Sequence, residues 1–173
     1  STTGTASGTT LTVDQTVPTV SNVDSGTAAG TYTIDGVISV NVTFSSAVTV
    51  TGTPQLTLET GASDAVVNFT SGSGSTVLKF SYTVASGQNS TDLDYESTSA
   101  LGLNSGTIND AAGNPATLTL ASPGDSNSLA DNEALIVDTT GPSVTGVSSS
   151  TAAGAYNSGD AISIQVTFDE AVT

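Results

Sequence analysis

The sequence predicts an all-β protein made of antiparallel β-sandwich modules in tandem. Three observations predict it. Apolar residues alternate with a period of two, as in Ile38, Val40, Val42 and Phe44 against Ser39, Asn41 and Thr43, the mark of half-buried strand. No stretch sustains a helical period, and many short strands set between turns rich in Gly, Ser and Asn point to a sandwich. Finally, residues 13–20 (VDQTVPTV) return as residues 137–144 (VDTTGPSV), an offset of 124 positions (138 − 14). The alignment then runs without a gap to the end of the chain. It matches Thr27, Ala28, Ala29, Gly30 and Tyr32 with Thr151, Ala152, Ala153, Gly154 and Tyr156. It also matches Thr43-Phe44 with Thr167-Phe168, and Ala47-Val48-Thr49 with Ala171-Val172-Thr173. Self-similarity at a fixed period marks an array.

Residues 1–13 read as the closing strand of a preceding module, since Leu11 and Val13 align with Leu135 and Val137. Residues 14–138 form one complete repeat. It opens with an edge strand over residues 18–23, where proline is tolerated, and a turn-rich loop follows over residues 24–30. Residues 37–44 are the first clearly alternating strand. Next come Gln55 to Glu59, with Leu56 and Leu58 inward, and a hairpin of residues 65–70 and 77–84. The inward set of that hairpin is Val67, Phe69, Leu78, Phe80, Tyr82 and Val84, which puts Lys79 on the outward phase. Residues 86–96 are polar and acidic. Short extended pieces follow at residues 101–103 and 106–108, then a turn over residues 109–115 and a strand over 116–120. A long loop over 122–132 leads to the closing strand at 134–137. Residues 139–173 begin the next repeat, with Ile162, Ile164, Val166 and Phe168 as its inward set.

Sixteen acids face one base, for a formal charge of −15. Nucleic acid and anionic membrane surfaces both demand Lys and Arg, so neither is an expected partner. No apolar run approaches the roughly 20 residues of a membrane span, so no direct membrane insertion is expected. Cys, His, Met and Trp are absent, which removes the ligands of zinc, iron and copper sites and most nucleophile–base pairs. Oxygen ligands are plentiful, and those suit calcium. Ser and Thr make up a third of the chain, a composition common in surface polymers.

Five ordered motifs then fit one pattern. They are residues 138–144 (DTTGPSV), 167–173 (TFDEAVT), 52–59 (GTPQLTLE), 92–95 (DLDY) and 106–114 (GTINDAAGN). Together they resemble the bacterial immunoglobulin-like (Big-type) tandem repeats of giant extracellular and surface proteins, repeat adhesins among them. The resemblance covers essentially the whole chain. It implies immunoglobulin-like β-sandwich modules and an extracellular or cell-surface location. It also implies a structural role as stalk, filament or sheath, with no catalysis and frequent stiffening by calcium. The partners it implies are neighbouring repeats or like chains in a fibre, and surface glycans. The alternative is a module of a secreted protein that binds carbohydrate or protein through its loops, for which Tyr32, Tyr95 and Tyr156 are the aromatic candidates. The copies depart from each other where Ser45-Ser46 stands opposite Asp169-Glu170, and Asp35-Gly36 opposite Gly159-Asp160.

Seven residues are candidate calcium ligands. Asp92 and Asp94 flank Leu93, so in an extended segment both carboxylates would fall on one side. Asp110 and Asn114 share a tight turn, Asp14 and Asp138 mark the joints, and Glu170 lies in the second copy's acidic pair. Asp and Asn near Gly are also ordinary turn formers, and acids on a soluble fibre also serve simply as solvated charge. Paired carboxylates could in principle hydrolyse glycosides, but no aromatic platform accompanies Asp92 and Asp94. The sequons at Asn41, Asn68 and Asn89 are formal glycan acceptors, with Asn41 on the outward phase of its strand.

Overall fold

The computed structural model describes residues 14–172. The expected strand over residues 1–13 lies outside the described residues. The chain divides into two compact units, Ser1–Thr139 and Thr140–Thr173. Both are all-β and mostly antiparallel, as the alternation predicts.

The larger unit contains β1 (Val20–Ser25), β2 (Gly30–Tyr32), β3 (Val37–Thr51), β4 (Gln55–Glu59), β5 (Ala65–Ser71) and β6 (Ser75–Thr83). These are followed by β7 (Asp94–Tyr95), β8 (Leu101–Gly102), β9 (Thr107–Asn109), a short helix α1 (Leu129–Asn132) and β10 (Leu135–Val137). Eight strands join in one sheet of order β1-β3-β6-β5-β4-β7, with β8 also on β4 and β9 on β3. The sheet curls into a half-barrel around its core.

The curl follows from β3. That strand is 15 residues long and changes partners along its length. Its first half lies between β1 and β6, and its last residues pair with β9. The register shifts between Thr43 and Val48, and such an irregularity bends a strand and tightens its twist. The sequence ends this strand at Phe44, because the alternation lapses at Ser45, Ser46 and Ala47. Those three residues are exposed, and the backbone nevertheless runs on through the bend.

Packing agrees with the inward phases. Leu56, Leu58, Val67, Leu78, Phe80, Tyr82 and Val84 are buried and Phe69 is half-buried, while Lys79 is exposed. Phe69 meets Phe80 edge to face, with ring centroids 6.2 Å apart. The Tyr82 hydroxyl donates to Gln88 Oε1 at 2.9 Å, which satisfies its polar end inside the core.

Three elements differ from the sequence reading. Residues 116–120 form no ladder; Thr117 makes an isolated parallel bridge to Thr19, although Leu118 and Leu120 do turn inward. Residues 31–32, which the sequence assigns to no element, form β2 together with Gly30, the last residue of the expected loop, and β2 pairs in parallel with the closing strand β10. The loop over 122–132 contains α1, whose N-cap Ser128 accepts from the Asp131 N–H. Asn132 ties this turn to β1 by donating through Nδ2 to the Val23 carbonyl at 2.8 Å and to Asn22 Oδ1 at 2.9 Å. Contacts between residues more than a hundred positions apart leave no local periodic signal.

The smaller unit is a hairpin of β11 (Val144–Ser149) and β12 (Ile164–Phe168). Its register repeats that of β1 and β3 at an offset of 124. Val20↔Phe44 becomes Val144↔Phe168, and Val23↔Val42 becomes Val147↔Val166, with a register shift after the first pair in both. Side-chain bonds repeat as well. Ser25 and Ser149 donate to the carbonyls of Ser39 and Ser163, and Tyr32 and Tyr156 donate to those of Ala28 and Ala152. The inward set does not repeat its burial, since Ile162, Ile164 and Val166 are exposed: no further strand lies over them among the described residues.

Candidate functional site

The candidate ligands do not gather into one centre. Three of them, Asp14, Asp110 and Asn114, meet at one corner of the larger unit. The turn after β9 brings Asp110 Oδ1 to the Asn114 N–H at 2.8 Å and Oδ2 to Asn114 Nδ2 at 2.8 Å. The same Nδ2 donates to the Asp14 carbonyl at 3.1 Å. The turn therefore pins the chain a hundred residues upstream. Asp110 is held below the ordinary carboxylate range. The Asn114 side-chain amide lowers it most, partial burial opposes, and the N–H groups of Asn114, Ala112 and Gly113 lower it further.

A depressed folded-state pKa stabilises the fold above the unfolded value and loses that effect as pH falls through the folded value. Asp110→Ala is accordingly expected to be less stable than the parent at neutral pH. The gap should narrow below about pH 4, the range in which a free aspartate protonates. Urea midpoints measured across pH check this, and a gap independent of pH would refute it.

The structure separates Asp92 from Asp94. Asp92 sits in an exposed bend, whereas Asp94 is buried with Leu93 and Tyr95. The expected sharing of one side fails because the chain is strand only from Asp94 onward. Asp94 Oδ1 accepts from the Tyr95 N–H at 2.8 Å, and Oδ2 accepts from the Gly124 N–H at 2.9 Å. The Tyr95 hydroxyl donates to the Ala121 carbonyl at 2.8 Å. This dipeptide fastens the loop that carries α1. Tyr95 is thus no exposed loop aromatic, which corrects its place among candidate binding residues.

Burial, with the Asp94 and Asp125 carboxylates adding to it, pushes the Tyr95 phenol up to about 12, and burial raises Tyr82 as well. A raised folded-state pKa stabilises below the unfolded value near 10 and is lost as pH rises through the folded one. Both phenols should therefore ionise late, together with alkaline unfolding, and Tyr95→Phe should remove one of the late groups. Phenolate absorbance during a pH titration reads this directly. Ionisation of Tyr95 at the pH of free tyrosine would contradict the buried geometry.

Asp138 is half-buried at the end of β10, where its N–H donates to the Tyr32 carbonyl at 3.0 Å. Glu170 is exposed. The informative acid of its pair is Asp169, which the sequence reading passed over. Asp169 Oδ1 accepts from the Ser143 N–H at 2.7 Å, the place taken by Ser45 Oγ on the Thr19 N–H at 3.0 Å. Carboxylate and hydroxyl are interchangeable here as acceptors for the opening strand. The other departure also conserves shape, because Asp35 at φ 67° and Gly159 at φ 102° hold the same left-handed position. Glycine adopts it without the Cβ cost that Asp35 carries.

Asn41 is half-buried, with Nδ2 donating to Asp24 Oδ1 at 2.8 Å, so its sequon is not freely accessible. Its Oδ1 is buried without a partner among the described residues. No group of three or more carboxylates is gathered among the described residues. Of the candidates, Asp14 through its carbonyl and Asp110 through its carboxylate are joined by the Asn114 amide donor, and their oxygens fall short of the 6–8 that calcium takes. Among the described residues no helix is long and apolar enough to cross a membrane. No family model, curated protein or solved structure matches this chain.

Proposed function

We propose that this chain is a stretch of a tandem array of immunoglobulin-like modules of the Big type, serving as stalk, filament or sheath of a long extracellular or cell-surface protein. The observation that carries the reading is the repetition of one hairpin at an offset of 124, in strand register, register shift and side-chain bonds. Such a repeat needs no catalytic cleft. What it must supply is a rigid unit and a defined joint. In the larger unit the joint string is ordered through Thr139, whose N–H donates to Asn89 Oδ1 at 2.8 Å and whose hydroxyl accepts from the Gly87 N–H at 3.1 Å. At the opening end, the Thr117 N–H donates to the Pro18 carbonyl at 2.8 Å. Within the larger unit, Pro18 and Thr139 are thus hydrogen-bonded into the module. The outward polar residues and the charge of −15 keep such a polymer soluble and repel like chains until cations intervene.

Calcium is the ion an oxygen-only ligand inventory favours, and at the corner of Asp14, Asp110 and Asn114 it would have to displace the Asn114 Nδ2 donor from the Asp14 carbonyl and the Asp110 carboxylate. It would supply charge neutralisation there, with water completing the shell. Calcium is expected to raise the melting temperature and EDTA to lower it, with Asp110→Ala abolishing the difference. An unchanged melting temperature and an unchanged small-angle scattering profile with and without EDTA would sink the calcium reading and leave the structural one standing. Electron microscopy of native material tests the structural reading itself, for which threads or ordered lattices are the expected result. Compact isolated particles would overturn it.

A further inference from the structure

A stalk or filament carries load from end to end through each module. Tension that enters the larger unit at Asp14 and leaves after Thr139 reaches β2 from its N-terminal side and β10 from its C-terminal side. These two strands run parallel, in the register Leu135↔Gly30, Ile136↔Thr31 and Val137↔Tyr32. Opposed pulls on parallel neighbours act along one axis, so the pair is sheared. The bonds of a sheared pair share the load and must break together, whereas a peeled pair opens one bond at a time. An antiparallel pairing of the same two segments would set both loaded ends side by side and would peel.

We propose that β10 is the mechanical clamp of the module, a strand seated so that end-to-end tension shears it on both edges. On the β2 edge the Gly30 N–H donates to the Ala134 carbonyl, and the Asp138 N–H to the Tyr32 carbonyl, each at 3.0 Å. On the other edge Val137 and Ser90 exchange both backbone bonds at 2.8 Å, and the Leu93 N–H donates to the Leu135 carbonyl at 2.7 Å. Leu135 and Val137 are buried in the core, so the strand cannot slide without drawing them out. Past the strand, Thr139 is tied to Asn89 and Gly87, which guards the exit end against peeling. β1 lies on β3 at the entering end and is loaded as well. If β1 yields first, tension passes through residues 26–29 to β2 and so to β10. If it holds, β10 is the shorter of the two terminal strands, three residues against six, and gives way. In either order the seat of β10 sets the force. The inference rests on the array reading above.

The chain has no cysteine, so Gln15→Cys and Gly141→Cys, both at exposed positions, give unique handles for optical tweezers. The expected result is a high-force rupture, marked as the larger unit by the full extension of residues 15–141 at about 3.3–3.6 Å each. Moving the first handle to the exposed Thr33, just past β2, pulls the parallel pair from one end and should peel it at a clearly lower force. Forced unfolding follows the unfolding barrier rather than the equilibrium stability, so the same folded unit gives both readings. Ile136→Pro deletes a donor on the β2 edge at an exposed side chain and should lower the force of the first arrangement. Ile136→Thr keeps the donor and should leave that force unchanged. Equal forces from the two handle pairs overturn the clamp, and so does a folded Ile136→Pro variant that ruptures at the parent's force. If Ile136→Pro does not fold, the two handle pairs decide alone. Equal forces alongside threads in electron microscopy remove the clamp and keep the array. Compact particles remove the array and the load-bearing role together, whatever the forces.

Discussion

Phe80→Ala is expected to destabilise the larger unit by about 3–5 kcal/mol. Phe80 is fully buried, sits opposite Val40 across the β3–β6 ladder and meets Phe69 edge to face. Truncation removes the apolar area and leaves a cavity that the strands on either side cannot close, since both are fixed by their own ladders. Domains are stable by only about 5–15 kcal/mol, so the loss is a large share of the whole. A urea unfolding midpoint shifted strongly at constant slope is the expected reading. Phe69→Ala should cost less, because Phe69 is half-buried. Equal losses at the two positions would mean that the core is not centred on β6.

Gly72→Ala is the second large effect, on the order of 3 kcal/mol. Gly72 turns the β5–β6 hairpin at φ 107°, and a Cβ built there runs into the Val77 carbonyl, which is backbone and cannot swing aside. Gly74, two residues on, is a built-in control. Its φ is 84° and nothing lies within 4 Å of its Cβ position. Gly74→Ala therefore meets only the conformational cost and should be clearly milder. Thermal melts of the two variants side by side decide the matter. If they are equally destabilised, the close approach at Gly72 is not what demands glycine.

The two predictions draw on different levels of the molecule. The burial of Phe80 is legible in the chain itself, because Leu78, Phe80, Tyr82 and Val84 alternate and a pleat places alternate residues on one face. The demand at Gly72 is not legible, since a run of Ser and Gly announces a turn without saying which glycine a carbonyl will approach. The candidate site divides in the same way. Asp110 and Asn114 form a local turn that their spacing announces, and they appear together. Their hold on the Asp14 carbonyl is remote and carries no local signal. Asp94 was singled out for its spacing from Asp92, yet its setting is decided by Gly124, thirty residues later.

By itself the sequence determined the all-β class, the inward phase of the central strands and the offset of 124, because these depend on local alternation and on self-comparison. Tertiary structure alone decided the continuation of β3 past Phe44, the parallel closure of β2 with β10, the helix turn at Ser128, and the burial of Asp94 and Tyr95. Apart from the Ser128 cap, which is made locally with Asp131, each of these is set by a partner distant along the chain. A backbone N–H or a carboxylate taken from water must find such a partner wherever the fold brings one. The same reason separates the two hairpins. Residues 20–44 and 144–168 share one pattern, and only the presence of β6 and its neighbours puts the first apolar face inside.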